Sequence, residues 1–213
     1  MPDLLNMSAM RLAEIEPELT AASLPANVAA LLAQSRQLVA KLEKQAHADF
    51  AAFVPSDFEL VYRALVSIQS RRLATGRRFV EWGSGLGVVT CLAQWVGFDA
   101  VGIEIEPRLV NMAQVLAAEH HVGAQFVCGS FIPAGANVRL ERLADIAWLS
   151  TDGPDAYTEL ELDADDFDLV FAYPWPGEEQ VIFDLFADCA AVGTLLLTYH
   201  GQDGIRLQRK VRG

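Results

Sequence analysis

Three glycines at alternate positions have the spacing that points most directly to chemistry. Gly83, Gly85 and Gly87 follow the short apolar stretch from Phe79 to Trp82, and a second apolar run of helical character comes after them. Glycine lets a ligand approach the main chain without meeting a Cβ atom, and the start of a helix offers amide donors that have no partner within the helix. The stretch is therefore predicted to bind the polar part of a small ligand.

Two carboxylates accompany the glycines. Glu81 stands just before them, and Glu104 ends the next apolar stretch, which runs from Val101 to Ile103. An acid at the end of a second strand can accept hydrogen bonds from both hydroxyls of a ribose. Glu81 suits a cationic group of a ligand, or the ordering of the loop through bound water. An isolated glycine loop often only forms a tight turn, but the joint occurrence with two acids favours a ligand site.

An aromatic segment follows the predicted fourth strand of the sheet. It reads Tyr173-Pro174-Trp175-Pro176. The two prolines restrict the backbone, and the aromatic rings offer π faces that can contact a cation or form the wall of a channel. In the alternative interpretation, the prolines end the strand and the rings pack in the interior. Tyr173 and Trp175 are the predicted substrate-facing residues.

The elements that must position these residues alternate from Arg77 onward. The pattern predicts strands at 79–82, 100–105, 124–128, 167–173 and 194–199, with helices at 86–96, 107–120 and 178–190. Parallel neighbouring strands need crossover connections, so this alternation predicts a doubly wound, mostly parallel α/β sheet. Ligands bind such sheets beyond the carboxyl ends of the strands, where the glycine loop and the aromatic segment are expected to lie.

Helical periodicity dominates the chain before the sheet. One amphipathic helix is predicted from Pro25 to His47 and a second from Ser56 to Leu73. Ser56 and Glu59 have the spacing of a capping box, and Gly76 is expected to end the second helix. The predicted organisation is an N-terminal helical cap over 1–75 and one continuous core over 76–213.

The stretch from Arg77 to His200 resembles the class I S-adenosylmethionine-dependent methyltransferases. The resemblance rests on the order acid-x-Gly-x-Gly-x-Gly at the end of the first strand of the sheet. It implies a Rossmann-like fold and S-adenosyl-L-methionine as cofactor, with Glu81 near the amino group of its methionine part and Glu104 on its ribose. The methionine part is implied to be lined by Gly83, Ser84, Gly85 and Gly87.

The resemblance is less regular around the adenine. Ser130 stands where many members of the family carry an acid that binds the adenine amino group. Its hydroxyl is implied to make that contact, with Phe131 or Ile105 covering the ring, although Ser130 is equally well interpreted as a turn residue. A dinucleotide-binding loop would place its third glycine at Val88, which weighs against NAD.

The identity of the methyl acceptor is less constrained. The aromatic segment resembles the Asn/Asp-Pro-Pro-aromatic loop of amino-group methyltransferases, but Tyr173 replaces the residue that would hold the amine, so methylation of a nucleic-acid base is disfavoured. A weaker resemblance, through Phe53 to Asp57, is to small protein-lysine methyltransferases of the ATP synthase c-subunit type. It implies that Ser56 and Asp57 close over the methionine end, unless they only cap a helix. The C-terminal hairpin of the family is expected to be reduced.

Composition excludes several other classes of protein. The 213 residues include 16 Lys and Arg against 28 Asp and Glu, a formal net charge of −12, which disfavours a nucleic-acid partner. The three cysteines are far apart and set among apolar residues, as in a reducing compartment, and no metal-ligand spacing is present. Without a signal sequence or a long apolar stretch, the protein is expected to be cytoplasmic, with no membrane contact.

The remaining charged segments leave the partner open. The acidic segment from Asp152 to Asp168 can dock a basic protein or polyamine, or it can be a solvated loop, and the basic tail after His200 either contacts it or frays. The predicted acceptor is a protein lysine or a small molecule. The alternatives are an NAD-dependent oxidoreductase, a non-catalytic cofactor-binding or interaction module, and an aminopropyl transferase.

Overall fold

The computed structural model describes residues 10–19, 21, 23–45, 54–134, 136, 153–175 and 177–213. Within them the chain forms a seven-stranded sheet. Its strands are β1 (Met10–Ile15), β2 (Arg78–Trp82), β3 (Asp99–Glu104), β4 (Gln125–Cys128), β5 (Leu169–Ala172), β6 (Leu195–Tyr199) and β7 (Ile205–Arg212).

Helices connect and flank the strands. In the described part of the chain they are α1 (Ala26–Gln45), α2 (Phe58–Ser70), α3 (Val88–Val96), α4 (Pro107–Glu119), α5 (Ala156–Leu160) and α6 (Glu179–Cys189). The predicted strands and helices from residue 77 onward agree with the structure to within about two residues at each end. None of the described helices combines the length and the apolarity that a membrane crossing requires.

The order of the strands confirms the predicted doubly wound sheet. The order is β1-β7-β6-β5-β2-β3-β4, in which β6, β5, β2, β3 and β4 are parallel neighbours. The chain runs outward from β2 through β3 to β4, and then returns to the other side of β2 at β5. The carboxyl ends of β2 and β5 therefore border the point where the strand order reverses, which is the usual ligand crevice of such a sheet.

Side chains of the central strands point into two separate hydrophobic cores, one on each face of the sheet. Phe79 of β2 packs with Leu92 of α3 and with α1, α2 and α4 on one face of the sheet. Trp82 lies in the core on the other face, together with Phe186 of α6 and residues of α5. Because successive side chains of a strand point to opposite faces, one short strand supplies both cores and fixes the layer order.

The N-terminal segment contributes a strand that the sequence analysis did not predict. Strand β1 pairs antiparallel with β7, which in turn pairs antiparallel with β6. A single strand follows β6, as expected for a reduced hairpin, and β1 fills the edge position beside it.

Helices α1 and α2 confirm the predicted helical extension, although His47 lies outside the described residues. The boundary between residues 75 and 76 stays a prediction.

The basic tail does not fray, so that expectation is wrong, while its contact with the acidic segment stays a prediction. It forms β7, in which the Arg209 guanidinium donates to the main-chain oxygen of Leu73 over 2.8 Å. The buried Lys210 ammonium donates to the main-chain oxygen of Ala190. Arg209 and Lys210 therefore bind main-chain oxygens of neighbouring segments.

Two expectations about the ends of α2 need correction. The helix is capped by Asp57, whose carboxylate accepts from the Leu60 amide over 3.0 Å, and not by Ser56. Asp57 thus has the capping role that was weighed against closure over a ligand, while Phe53 lies outside the described residues. The helix ends at Ser70, well before Gly76. A Cβ atom at Gly76 would lie 2.4 Å from the Asp168 carboxylate, so close packing explains that glycine.

The acidic segment is partly structural. Its first acid, Asp152, lies outside the described residues. Asp155 caps α5, Asp166 forms an ion pair with Arg78 over 2.9 Å, and the Asp168 carboxylate accepts from the main-chain amide of Arg78 over 3.0 Å. These acids are engaged within the fold, which leaves fewer carboxylates for a docking surface.

Candidate functional site

The glycine loop forms a tight turn between β2 and α3. The amides of Gly83 and Ser84 both donate to the main-chain oxygen of Ile103, over 3.0 and 2.9 Å, which ties the loop to β3. Gly83, Gly85 and Gly87 have φ angles of 74°, 52° and 69°. These left-handed values suit glycine, so the alternating spacing in the sequence reflects a backbone requirement.

Glu104 faces the glycine loop. Its carboxylate accepts from the Gly85 amide over 2.8 Å through one oxygen and from the Glu106 amide over 2.9 Å through the other. Burial raises the pKa of Glu104, and these hydrogen bonds lower it in part. A carboxylate has about four lone-pair sites, so these main-chain donors still leave acceptor capacity for a ligand.

Gly83 and Gly87 differ in what a side chain would meet at each position. A Cβ atom at Gly83 would meet no other atom within 4 Å, so this position is open to an approaching group. A Cβ atom at Gly87 would lie 2.3 Å from the Phe126 ring and 2.8 Å from Ala113. The absence of a side chain at Gly87 is thus explained by packing of α3 against α4 and β4. Whether its main chain lines a ligand stays a prediction.

Ser84 also belongs to the loop and is buried. Its hydroxyl oxygen has no hydrogen-bond partner among the described residues. A Cβ atom at Gly102 would lie 2.8 Å from this hydroxyl, so Ser84 sits directly over β3. Buried hydroxyls are usually paired, and those that are not call for an explanation such as a ligand or an ordered water.

Glu81 points below the loop and toward α3. Its carboxylate accepts from the Thr90 amide over 2.8 Å and from the Thr90 hydroxyl over 2.5 Å. It therefore holds the first turn of the helix, where amides lack intrahelical partners. Burial raises the pKa of Glu81 to about 8, although both bonds from Thr90 act in the opposite direction. Contact with an amino group of a ligand stays a prediction.

The burial of Glu81 predicts a specific pH dependence of stability. Because burial raises its pKa from 4.5 to about 8, the folded state holds a proton between these values that the unfolded state has lost. The stabilisation of the fold by this proton is complete below the pKa that Glu81 has in the unfolded state. It is lost as pH rises through the pKa in the folded state, at up to about 1.4 kcal/mol per pH unit. In Glu81→Gln, urea unfolding between pH 5 and 8 is expected to show a shallower decline.

The exposed Glu43 of α1 offers a matched control. Glu43→Gln removes the same charge without removing a buried carboxyl, so its stability should follow the wild-type pH curve. Parallel curves for Glu81→Gln and the wild type would show that Glu81 is not the titrating group.

The loop after β4 is held by a serine turn. The Ser130 hydroxyl accepts from the Ile132 amide over 3.2 Å, and the Ser130 main chain pairs with Asp155. A serine side chain bonded to the amide two residues ahead is a turn geometry, which supports the turn interpretation. Ile105 is half-buried at the end of β3. Adenine contacts of Ser130 and Ile105 stay predictions.

Phe131 is positioned by aromatic residues that the sequence analysis missed. Its ring stacks on Trp82, with ring centroids 5.4 Å apart and planes 9° from parallel. The Trp82 indole donates to the Tyr157 hydroxyl over 3.0 Å, and that hydroxyl donates to the Phe131 main-chain oxygen over 3.1 Å. The available signal was the alternation along β2, which places Trp82 on the face opposite Glu81.

The two aromatic candidates after β5 lie at the same edge of the sheet. The Tyr173 ring packs edge to face on Tyr199 at the end of β6, with centroids 4.8 Å apart. Burial, and then Tyr199, raise the pKa of Tyr173. The Trp175 amide donates to the Glu178 carboxylate over 3.1 Å. Both aromatic side chains are half-buried. Pro176 lies outside the described residues. Their contact with a substrate stays a prediction.

His200 is a further titratable residue at this edge, to which the sequence analysis gave no role. It is half-buried just after β6, and its Nε2 atom shares a hydrogen bond of 2.7 Å with the Thr198 hydroxyl. Burial, followed by the charge of Arg206, lowers its pKa. This shift favours the neutral form of the imidazole.

Comparisons with known proteins support the architecture. No protein-family model and no curated protein sequence matches the chain. A methyltransferase from Geobacter sulfurreducens is 13% identical, with a TM-score of 0.50 over 89% of this chain and 92% of that one. The O-methyltransferase from Bacillus cereus, in complex with S-adenosylhomocysteine, is 13% identical with a TM-score of 0.50, over 84% of this chain and 68% of that one.

A third similar structure is an RNA methyltransferase from Salinibacter ruber in complex with S-adenosyl-L-homocysteine. It is 20% identical, with a TM-score of 0.49 over 74% of this chain and 94% of that one. At such identities, the matches with a TM-score of 0.50 establish a shared fold. The chain has the Rossmann-like α/β fold that the sequence analysis predicted.

Proposed function

We propose that this chain is an S-adenosylmethionine-dependent methyltransferase that moves a methyl group to a nucleophile by in-line displacement. The observation that carries the proposal is the hydrogen bond of 2.8 Å between the Glu104 carboxylate and the Gly85 amide. It joins an acid suited to a ribose to a loop suited to the polar end of the cofactor, at the carboxyl edge of a doubly wound sheet.

The residues present fit this cofactor. Open space in front of Gly83 leaves room for a group to lie against the main chain, and the Ser84 hydroxyl is available as a donor. Glu104 keeps lone pairs that can accept from ribose hydroxyls. The O-methyltransferase from Bacillus cereus carries S-adenosylhomocysteine on the same fold, which supports the choice of cofactor.

The loop fits NAD less well. A dinucleotide-binding loop needs a glycine where this chain has Val88, and the Val88 side chain is buried in the core. Val88 begins α3, so its side chain contributes to the packing of that helix. The methionine-containing cofactor is therefore preferred over a dinucleotide.

The chain has little covalent chemistry to perform. S-adenosylmethionine supplies a methyl group that its sulfonium has already activated. The residues around the crevice have to hold both reactants, align the acceptor atom with the methyl group and exclude water. Tyr173 and Trp175, at the end of β5, are proposed to form the acceptor side. A lysine acceptor must be neutral to react, and desolvation beside aromatic rings favours the neutral amine.

A non-catalytic cofactor-binding module is the second candidate, and one observation favours it. The Tyr173 ring is engaged by Tyr199 at 4.8 Å, as the packing interpretation of the aromatic segment requires. This candidate predicts cofactor binding without methyl transfer. The two candidates are separated by an assay of transfer.

Calorimetric titration with S-adenosylmethionine and with NAD tests the proposal first. We expect a dissociation constant in the micromolar range for S-adenosylmethionine, about −8 kcal/mol, and no comparable binding of NAD. Tighter binding of NAD would overturn the proposal.

A transfer assay follows the titration. Label from methyl-labelled S-adenosylmethionine should enter the protein or the small-molecule fraction of a lysate. Binding without transfer to any fraction would favour the non-catalytic module, and activity on putrescine with the decarboxylated cofactor would indicate an aminopropyl transferase.

A further inference from the structure

A groove opens at the carboxyl edge of the sheet, between the end of β1 and the start of β7. Its volume is about 360 Å³, which is within the size range of small-molecule sites. Its walls are formed by residues 14–17 and 19, by residues 204–207 and by Leu60 of α2. Four strand spacings of about 4.8 Å separate β3, which carries Glu104, from β7. The groove is therefore distinct from the proposed cofactor site.

The walls of this groove are fixed by main-chain interactions. Ile15 at the end of β1 pairs with Leu207 of β7. The main-chain oxygen of Glu16 accepts from the Arg71 guanidinium over 2.9 Å, and the main-chain oxygen of Gly204 accepts from the His200 amide over 2.7 Å. Hydrogen bonds to the main chain thus hold both sides of the groove.

Opposite charges line the groove without pairing with each other. Glu14 and Glu16 extend from the β1 side and Arg206 from the β7 side, and all three side chains are exposed. Within the described parts of the chain, no ion pair joins Arg206 to either carboxylate. Glu14 is held by Gln208, whose amide nitrogen donates to its carboxylate over 2.8 Å. A ligand with both charges can bridge the two sides.

An apolar surface accompanies these charges. Leu19 is 42% exposed at the border of the groove. Leu60 and Ile15 are half-buried beside it. Covering such surface with an apolar group of a ligand is favourable, because the surface leaves water.

We propose that this groove binds a small zwitterion that carries an ammonium group, a carboxylate and an apolar side chain. Glu14 and Glu16 hold the ammonium group, Arg206 holds the carboxylate, and the apolar group lies against Leu19 and Leu60. A guanidinium can bind a carboxylate through two parallel hydrogen bonds, which gives the site its orientation. A free amino acid of moderate size fits the volume.

The test uses three probes on the full chain without cofactor, so its outcome is independent of the proposed methyl transfer. The probes are L-phenylalanine, phenethylamine, which lacks the carboxylate, and 3-phenylpropionate, which lacks the ammonium group. Ligand-observed NMR titration should rank L-phenylalanine first and 3-phenylpropionate last. Equal or tighter binding of 3-phenylpropionate, or no binding of L-phenylalanine up to about 10 mM, would overturn the proposal.

Variants assign the binding to the groove. Arg206→Gln and Glu16→Gln are each expected to weaken L-phenylalanine binding about tenfold, because each removes one charge from one side. Glu43→Gln on α1 removes a charge far along the chain from the groove and should leave binding unchanged. Both groove residues are exposed, so the variants should fold, which a thermal melt verifies. Unchanged binding in both groove variants would contradict the assignment.

Discussion

Replacing Gly85 with Asp is expected to weaken S-adenosylmethionine binding at least about 100-fold, which corresponds to about 2.7 kcal/mol. The Gly85 amide lies 2.8 Å from the Glu104 carboxylate. A new carboxylate beside Glu104 adds like-charge repulsion and occupies space that the ligand needs. Aspartate tolerates a positive φ better than most residues, so backbone strain contributes little. Calorimetric titration of the variant measures the effect.

Gly123→Asp is the matched control for this experiment. Gly123 is exposed, and a Cβ atom there would meet nothing within 4 Å. The same substitution should therefore leave cofactor binding unchanged. Glu104→Gln serves as a second variant if Gly85→Asp folds poorly, because it keeps an acceptor for the Gly85 amide and removes the charge. Wild-type affinity in Gly85→Asp and Glu104→Gln would contradict the proposed site.

Gly87→Ala is expected to lower the free energy of unfolding by about 3 kcal/mol. The residue has a φ of 69°, which costs about 1 to 2 kcal/mol for a residue with a side chain. The new Cβ would also lie 2.3 Å from the Phe126 ring, and such overpacking costs about 1 to 3 kcal/mol. Urea unfolding monitored by circular dichroism measures the loss.

Gly83→Ala separates packing from ligand contact. Its φ of 74° carries the same backbone cost, but its Cβ would face open space, so we expect a loss of only about 1 kcal/mol. Cofactor affinity should instead fall in Gly83→Ala, because the added methyl group faces the proposed crevice. Equal stability losses in the two variants would show that the Phe126 contact does not decide the role of Gly87.

The partners of some site residues could be predicted from the sequence, whereas the partners of others could not. Glu104 faces the glycine loop because β2 and β3 are adjacent parallel strands, an arrangement that the alternation of periods predicts. The partner of Glu81 was not predictable in the same way. The amide and the hydroxyl of Thr90 compete with any ligand for the Glu81 carboxylate. Whether Glu81 binds Thr90 or a ligand depends on how α3 packs against β2.

The outermost strand of the sheet, β1, is also a feature that the sequence did not predict. Strand β1 shows no strict alternation of exposed and half-buried residues and carries the charged Arg11 and Glu14, so its sequence gives little signal for a strand. It becomes a strand because β7 offers a row of unpaired main-chain groups. Lys210 is buried for a related reason, since the main-chain oxygen of Ala190 lies where its ammonium group can reach it. Such partners come from distant parts of the chain.

The sequence by itself determined the order of the strands and helices from β2 to β6 apart from α5, the parallel sheet, and the position of the glycine loop and Glu104 at its carboxyl edge. These features follow from periodicity and glycine spacing, which are local properties of the chain. Only the tertiary structure decided the edge pairing of β1, the bond between Glu81 and Thr90, and the groove beside Arg206. Each depends on which segments meet in space, and short-range patterns do not encode that.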